Sequence, residues 1–312
     1  TNRVIYLEDG DIGVVTKNDV KIRRDGIEVA REEHKILWSV EEAQKAGYEH
    51  FMLKEIHEQP KVIRNTLGEY SRAAELVVNL PMMRDTGTDS MLMLAAGTSY
   101  HAALIGKYVV EELLKIPARV EIASEFNYYS HTLARTMAIA ITQSGETADT
   151  LKAMKRLRET GCRVIAITNV VGSTASRIAH QTIYTRAGPE ISVAATKSFV
   201  AQLVVLYWLA MSYSKADARR LASLLMELRQ LPSKVQQVLD NEAEIIEYAK
   251  YLSKYENVFF IGRGINLPVA MEGALKLKEI SYIHAEGYAA GETKHGPFAL
   301  LGSNTPVIAI VA

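Results

Sequence analysis

The sequence predicts an α/β protein: parallel sheets flanked by helices, arranged as two copies of one unit with the second truncated, behind a short antiparallel β-meander. Apolar runs of strand length recur at Met91 to Ala96, Met137 to Ile141, Arg163 to Thr168, Gln181 to Tyr184 and Asn257 to Ile261. Between them lie stretches with apolar residues three and four apart, such as Leu151, Met154 and Leu157 closed by Gly161, the period and stop of a helix. Continuous apolar strands alternating with helices belong to a parallel sheet covered on both faces. Duplication follows from an internal echo. "MLMLAAGTSYHAALIGKYVVEELL" and "NVFFIGRGINLPVAMEGALKLKEI" both run strand, glycine turn, long helix, with Gly97 matched to Gly262 and Ser99 to Gly264.

In chain order, "VIYLEDGDIGVVT" and "VKIRRDGIEV" are β-type runs broken at Asp9-Gly10 and Asp25-Gly26, which predict hairpins or turns. Hairpins alone bury too little apolar surface to be stable. Residues 1–57 are therefore expected to be the trailing edge of a domain that begins earlier, with "SVEEAQKAGYEHFMLKEIHEQP" as a linker. The first α/β unit is expected over 58–235 and the second, incomplete, over 236–312. A long helical stretch from about Ala195 to Leu252 is predicted to break near Leu231-Pro232. The chain stops in "TPVIAIVA", predicted as the second strand of the second copy.

Composition removes several function classes. With 36 Lys+Arg against 36 Asp+Glu, no excess charge draws the chain to nucleic acid or an anionic membrane surface. One cysteine, Cys162, excludes an internal disulfide framework and a clustered cysteine metal site, and fits a reducing compartment, the cytoplasm by default. Its place between Gly161 and a buried strand suggests packing rather than reactivity. No apolar run approaches the ~18 residues of a membrane span, and Thr1-Asn2-Arg3 leads into no signal-peptide core. An N-terminal threonine is a nucleophile in some hydrolases, but Thr1 belongs to a hairpin remnant with no pocket expected around it.

The candidate ligand site is the bend Thr142-Gln143-Ser144-Gly145-Glu146-Thr147. It follows a predicted strand and opens a predicted helix, where ligands of open parallel sheets bind. Its hydroxyls, the free N–H groups and the positive end of the helix dipole suit an anion, and Gly145 is expected to let the backbone approach it. The P-loop lysine pattern is absent, so a phosphate ester is better served than a nucleoside triphosphate. The plainer reading is a helix cap, with Thr147 at N-cap. Gly97-Thr98-Ser99, a second hydroxyl-bearing turn at the tip of the preceding strand, favours the anion site. Glu272, Lys276 and Glu279 are spaced i, i+4, i+7 along one helix face, either a solvated ion-pair ladder or an acid–base line. His295 precedes Gly296-Pro297 on an expected loop, and histidine is a residue type suited to general acid–base work. His101, His131, His180 and His284 are assigned structural or surface roles.

"AAGTSYHA", "TQSGETADT", "SVAATKSF" and "EGALKLKEISYIHAEGYAAGETKHGP" resemble the isomerase half of the glutamine:fructose-6-phosphate aminotransferase (glucosamine-6-phosphate synthase) family, which consists of tandem, flavodoxin-like SIS subdomains. The resemblance runs from about Tyr48 to the end, and residues 1–57 resemble the close of that family's glutaminase domain. It implies conversion of fructose 6-phosphate and glutamine-derived ammonia to glucosamine 6-phosphate, in hexosamine biosynthesis. It implies phosphate contacts from Thr98, Ser99, Thr142, Gln143, Ser144 and Thr147, and sugar contacts from the backbone of Val193 or Ala195. Thr142 and Ala195 stand where relatives commonly carry Ser. The resemblance also implies Glu279 as the proton-transfer base, Lys276 as its support, and His295 as the ring-opening catalyst delivered across a subunit interface, hence a homodimer. No metal or organic cofactor is implied. The family's glutaminase cysteine and its C-terminal Schiff-base lysine have no counterpart; neither Lys197 nor Lys294 matches that motif. Glutamine would act through the missing domain, and this stretch alone would be inactive or impaired. Two other readings are a different SIS ketose/aldose phosphate isomerase or deglycase, and a non-catalytic sugar-phosphate-sensing SIS module.

Overall fold

The computed structural model describes residues 3–35, 44–71, 88–128, 135–214 and 216–311. The chain divides into two compact units, Thr1–Gln44 and Lys45–Ala312. In the first, β1 (Arg3–Ile5) pairs antiparallel with β5 (Glu33–Lys35), while β2 (Asp11–Val15), β3 (Val20–Arg24) and β4 (Ile27–Glu28) form a separate antiparallel sheet. Asp25-Gly26 makes the β3–β4 hairpin with both residues at positive φ, the geometry the right-handed strand twist favours. Asp9-Gly10 forms the predicted turn, closed by Asp11 N–H to Glu8 O at 3.0 Å, but not a hairpin, because β1 pairs with β5; β2 and β3 join at Thr16–Asp19, closed by Thr16 N–H to Asp19 O at 2.8 Å. Arg24 and Arg31 converge on the buried Asp11 carboxylate at 3.1 and 2.8 Å. The Arg31 hydrogen bond, with the Glu8 amide, holds that carboxyl far below its usual range.

The second unit opens with α1 (Phe51–Ser71), so the predicted linker is helical from Phe51 and the boundary expected at 57/58 falls inside a helix. A five-stranded parallel sheet follows: β6 (Ser90–Ala95), β7 (Ala118–Ile122), β8 (Thr136–Ile141), β9 (Arg163–Thr168) and β10 (Gln181–Tyr184), in spatial order β10-β9-β8-β6-β7. Strand numbering within the unit is thus 2-1-3-4-5, the flavodoxin-like order. The connections include α2 (Gly97–Leu114), α3 (Ala123–Phe126), α4 (Ala148–Glu159) and α5 (Thr174–Ile178), and α6 (Lys197–Ser212) follows β10. Side chains alternate across the sheet. Met91, Met93, Ile139 and Ile165 meet α2 and α6 on one face; Leu92, Leu94, Ala138 and Val164 meet α4 and α5 on the other. β7 was not predicted: as an edge strand paired only with β6 it carries Arg119 and Glu121 and shows no continuous apolar run.

Then come α7 (Ala218–Asp240) and α8 (Glu242–Leu252). The helical stretch breaks after Ser212 and at Asn241, not at Pro232, which lies buried inside α7. Packing there overrides the missing N–H, and the expected 235/236 boundary also falls within a helix. The second sheet is parallel, β11 (Asn257–Gly262) between β12 (His284–Ala289) and β13 (Val307–Ala309), with α9 (Asn266–Ser281) linking β11 to β12. Its 2-1-3 order repeats the start of the first sheet. "TPVIAIVA" is therefore the third strand of the copy. β12 escaped notice because its Gly287 lies under α9, where a Cβ would come within 2.6 Å of Met271 Cα. The echo also shifts register: Gly97 and Gly264 share φ near +54 and +53, and each follows a strand ending two residues before, at Ala95 and Gly262. Gly97 matches Gly264, not Gly262.

Candidate functional site

After β6 the chain passes through α2 to β7 on one side, while β8 lies on the other. The carboxyl ends of β6 and β8 thus flank a topological switch point, where open α/β sheets bind ligands. Gly97, with φ +54, makes a bend that L-residues adopt at a cost and starts α2; the Thr142–Thr147 bend leads β8 into α4. Between them opens a cleft of about 200 Å³, lined by Thr98, Ser99, Thr142, Gln143, Ser144 and Thr147, and by Val193, Ala195 and Glu279. That is smaller than the roughly 300–1,000 Å³ of sites for drug-sized ligands.

The bend's hydroxyls face this space rather than close the helix. Thr147 is the N-cap of α4 but makes no side-chain capping bond; its Oγ1 lies 3.2 Å from Thr142 Oγ1. Thr142 Oγ1 accepts the Gly145 N–H at 3.3 Å, and Ser144 Oγ accepts the Glu146 N–H at 3.1 Å, which leaves the Ser144 hydrogen free to donate. The N–H groups in the first turns of α2 and α4 lack intrahelical partners and carry the positive helix ends. Gly145 does not serve ligand approach as expected. It is buried, and a Cβ there would lie 2.2 Å from Ser173 Oγ; its glycine lets the bend pack on Ser173 and Thr168.

Two residues went unread in the sequence. Gln202 on α6, 1% exposed, donates from Nε2 to Ser99 Oγ at 2.9 Å, so Ser99 keeps its own hydrogen for a ligand. Thr150, a turn inside α4, also lines the cleft, and its hydroxyl is buried without a hydrogen-bond partner. The i, i+3 spacing from Thr147 was the available signal for Thr150; Gln202 had none, because its role depends on α6 packing on α2.

Opposite the bend, α9 packs on α2 and brings its charged face to the cleft. Lys276 Nζ meets Glu279 Oε2 at 2.5 Å and Glu272 Oε1 at 3.4 Å. Thr98 Oγ1 donates to Glu272 Oε1 at 2.9 Å and accepts from Lys276 Nζ at 3.0 Å. Its only hydrogen is thus committed to Glu272, so Thr98 can offer an anion its backbone N–H but not its hydroxyl proton. His101, one turn along α2, reaches the other Glu272 oxygen at 2.7 Å.

The rim loop before α6 is clamped from α1. Glu55, 1% exposed, accepts the Ile191 N–H at 2.6 Å, the Ser192 N–H at 3.2 Å and the Ser192 hydroxyl. Glu190 accepts the Thr196 and Ser198 N–H groups at 2.9 and 3.1 Å. Val193 is left projecting into solvent, 98% exposed.

His295 does not line the cleft. It is exposed and ends a single-turn 3-10 helix, Thr293–His295, whose first residue is buried. Lys197 is buried and paired with Glu58 at 2.6 Å, and Lys294 is exposed. Burial pushes the Cys162 thiol up. His180 Nδ1 accepts the Val164 N–H at 3.1 Å, and burial lowers its affinity for a proton; His284 lies 3.3 Å from Glu286, while His131 falls outside the described residues. Among the described residues no helix is long and apolar enough to cross a membrane.

Strand order and a hydroxyl-lined cleft at the switch point define an α/β protein of the flavodoxin-like class. Comparison with known proteins narrows the class. The SIS domain model matches residues 86–212 and 251–312, and the chain belongs to the SIS-domain family. It is 49% identical over 322 residues to a glutamine–fructose-6-phosphate aminotransferase [isomerizing] of Thermococcus kodakarensis, covering 99% of this chain and 52% of that protein. The Pyrococcus horikoshii protein of the same name is 48% identical over 314 residues, covering 99% of this chain and 52% of the relative. The chain therefore spans about half the length of the curated relatives it matches. Among solved structures, the C-terminal domain of glucosamine-fructose-6-phosphate aminotransferase from Francisella tularensis superposes with TM-score 0.82 at 39% identity, over 86% of this chain and 78% of that one. A glucosamine-6-phosphate deaminase from Thermotoga maritima gives 0.70 at 26% identity, over 83% and 76%.

Proposed function

We propose that this chain is the isomerase portion of a glutamine–fructose-6-phosphate aminotransferase, binding fructose 6-phosphate and converting it, with ammonia, to glucosamine 6-phosphate. The observation that carries the reading is that the Ser/Thr bend after β8 and Glu279 line one cleft. The phosphate lies on the Ser144, Thr147 and Ser99 hydroxyls, the Gln143 segment and the starts of α2 and α4, with Thr142 bracing the bend. Val193 and Ala195 contact the sugar through their backbone.

The remaining chemistry is at C1 and C2. Ammonia adds to the C2 ketone of the open-chain sugar and water leaves, giving an imine. Glu279 takes a proton from C1; the C1–H pair becomes a C1=C2 bond and the imine pair withdraws to nitrogen. Return of a proton to C2, with the O1 proton passing to the nitrogen, leaves an aldehyde at C1 and an amine at C2. Lys276, paired with Glu279 at 2.5 Å, keeps the carboxylate oriented and its charge balanced between the two proton transfers. His295, exposed on its own chain, opens the sugar ring from a second copy in a homodimer, and glutamine supplies the ammonia through a partner domain. A single buried free thiol fits a cytoplasmic enzyme;.

Calorimetry with fructose 6-phosphate, glucose 6-phosphate and inorganic phosphate tests the reading. Saturable heat with the sugar phosphates and at least about ten-fold weaker binding of phosphate alone is expected, since the sugar adds contacts beyond the ester. Equal affinity for all three would reject the sugar site. Retained binding with no Glu279-dependent hydrogen exchange at C1 in the full-length protein would favour a sensing module.

A further inference from the structure

We propose that His101 is a positioning residue for the Lys276–Glu279 pair: by occupying Glu272 Oε2 it keeps Glu272 from drawing Lys276 away from Glu279. The inference rests on the reading of Glu279 as proton-transfer base. His101 is 9% exposed and Glu272 6%, and they meet across the α2–α9 interface at 2.7 Å. A carboxylate oxygen only accepts, so the imidazole presents its Nδ1 hydrogen there.

Two carboxylates on α9 compete for one ammonium. Glu279 holds it at 2.5 Å, while Glu272 stands 3.4 Å away and is linked to it through the Thr98 hydroxyl. Glu272 tolerates that distance because both its oxygens are already served, Oε1 by Thr98 and Oε2 by His101. Without His101, a buried carboxylate oxygen loses its donor, which is costly. Lys276 is the cation within reach, and it can close on Glu272 by a small rotation. Glu279 would then lose its partner at the position where it faces the cleft. Thr98 and His101 project from one face of α2, so a single helix supplies both donors.

The stereochemistry selects the variants. Nδ1 of His and Nδ2 of Asn are each bonded to Cγ, so His101→Asn keeps a donor in nearly the same place; His101→Gln carries its amide one atom further out, and His101→Ala removes it. The readout is the 15N-labelled side-chain ammonium of Lys276 in this chain, assigned by its loss in Lys276→Arg. His101→Ala and His101→Gln are expected to shift that signal, His101→Asn to keep it near the wild-type position. In the full-length protein, exchange of the C1 hydrogen of fructose 6-phosphate with solvent deuterium should fall about ten-fold in His101→Ala with affinity within two-fold, and recover to within three-fold in His101→Asn. An unmoved Lys276 signal in His101→Ala and His101→Gln overturns the inference, as does an equal shift in all three variants. If His101→Ala does not fold, the contrast of Asn with Gln decides. Shifts as expected, with no exchange by the full-length wild-type protein, would uphold the positioning of Lys276 and count against the reading of Glu279 as base.

Discussion

The two glycine turns, Gly97 after β6 and Gly264 after β11, share a backbone bend and differ in what they expose. Thr98 and Ser99 follow the first and open into the cleft; Ile265 and Asn266 follow the second. The strand ends differ as well. Ala95 carries a Cβ at the place where Gly262 cannot, since a Cβ on Gly262 would lie 2.3 Å from the Asn266 carbonyl oxygen. The second turn is folded down on its own strand. Glycines at 273 and 287 continue the pattern, with a Cβ at each meeting Phe260 at 2.9 Å and Met271 at 2.6 Å, so α9 is pressed against its sheet. Duplication of a bend has therefore not duplicated a site. The first copy holds an open, hydroxyl-lined crevice, and the second contributes a rigidly seated helix whose outer face carries the charged groups.

Glu279→Gln is the sharpest test of that division. It should lower exchange at the sugar C1 by about 10²-fold or more with sugar-phosphate affinity within about three-fold, whereas Ser144→Ala with Thr147→Val should weaken affinity at least about ten-fold by removing hydrogen bonds to a charged ester. A Glu279→Gln chain that fails to bind would merge the two roles and break the comparison. Next in size, Gly262→Ala should cost about 3 kcal/mol in urea unfolding from overpacking against backbone, against about 1 kcal/mol for the reciprocal Ala95→Gly. Equal costs would mean the two strand ends are alike after all. Gly97→Ala and Gly264→Ala, both at positive φ with open space around the added Cβ, should each lose about 1–2 kcal/mol and match one another within error. The smallest effect is expected for Thr150→Val. Replacing an unpartnered buried hydroxyl by a methyl should raise stability in urea unfolding by up to about 1 kcal/mol.

Where sequence and structure agree, the signal was local. β9 has the predicted bounds, and β6, β8 and β11 lie within a residue of theirs, because buried strands write themselves as unbroken apolar runs; β10, a half-buried edge strand, also keeps its predicted bounds. The Gly161 stop holds too, with φ +77 just past the end of α4. β7 and β12 were illegible for opposite reasons: one is an edge strand bearing charges, the other carries glycine under a close-packed helix. Spacing put Glu272, Lys276 and Glu279 on one face, but not which carboxylate holds the lysine.

Periodicity, turn residues and family-like motifs were thus enough to name most of the strands, their α/β class and the segments that gather at the switch point, since each depends on residues within a few positions of one another. The direction of the Thr98 hydroxyl, the side Gly145 turns to Ser173, and the enlistment of His101 and Gln202 needed the folded chain. Thr98 and Glu272 stand 174 positions apart, and a side chain's hydrogen goes to whichever partner packing delivers, a choice that no local pattern contains.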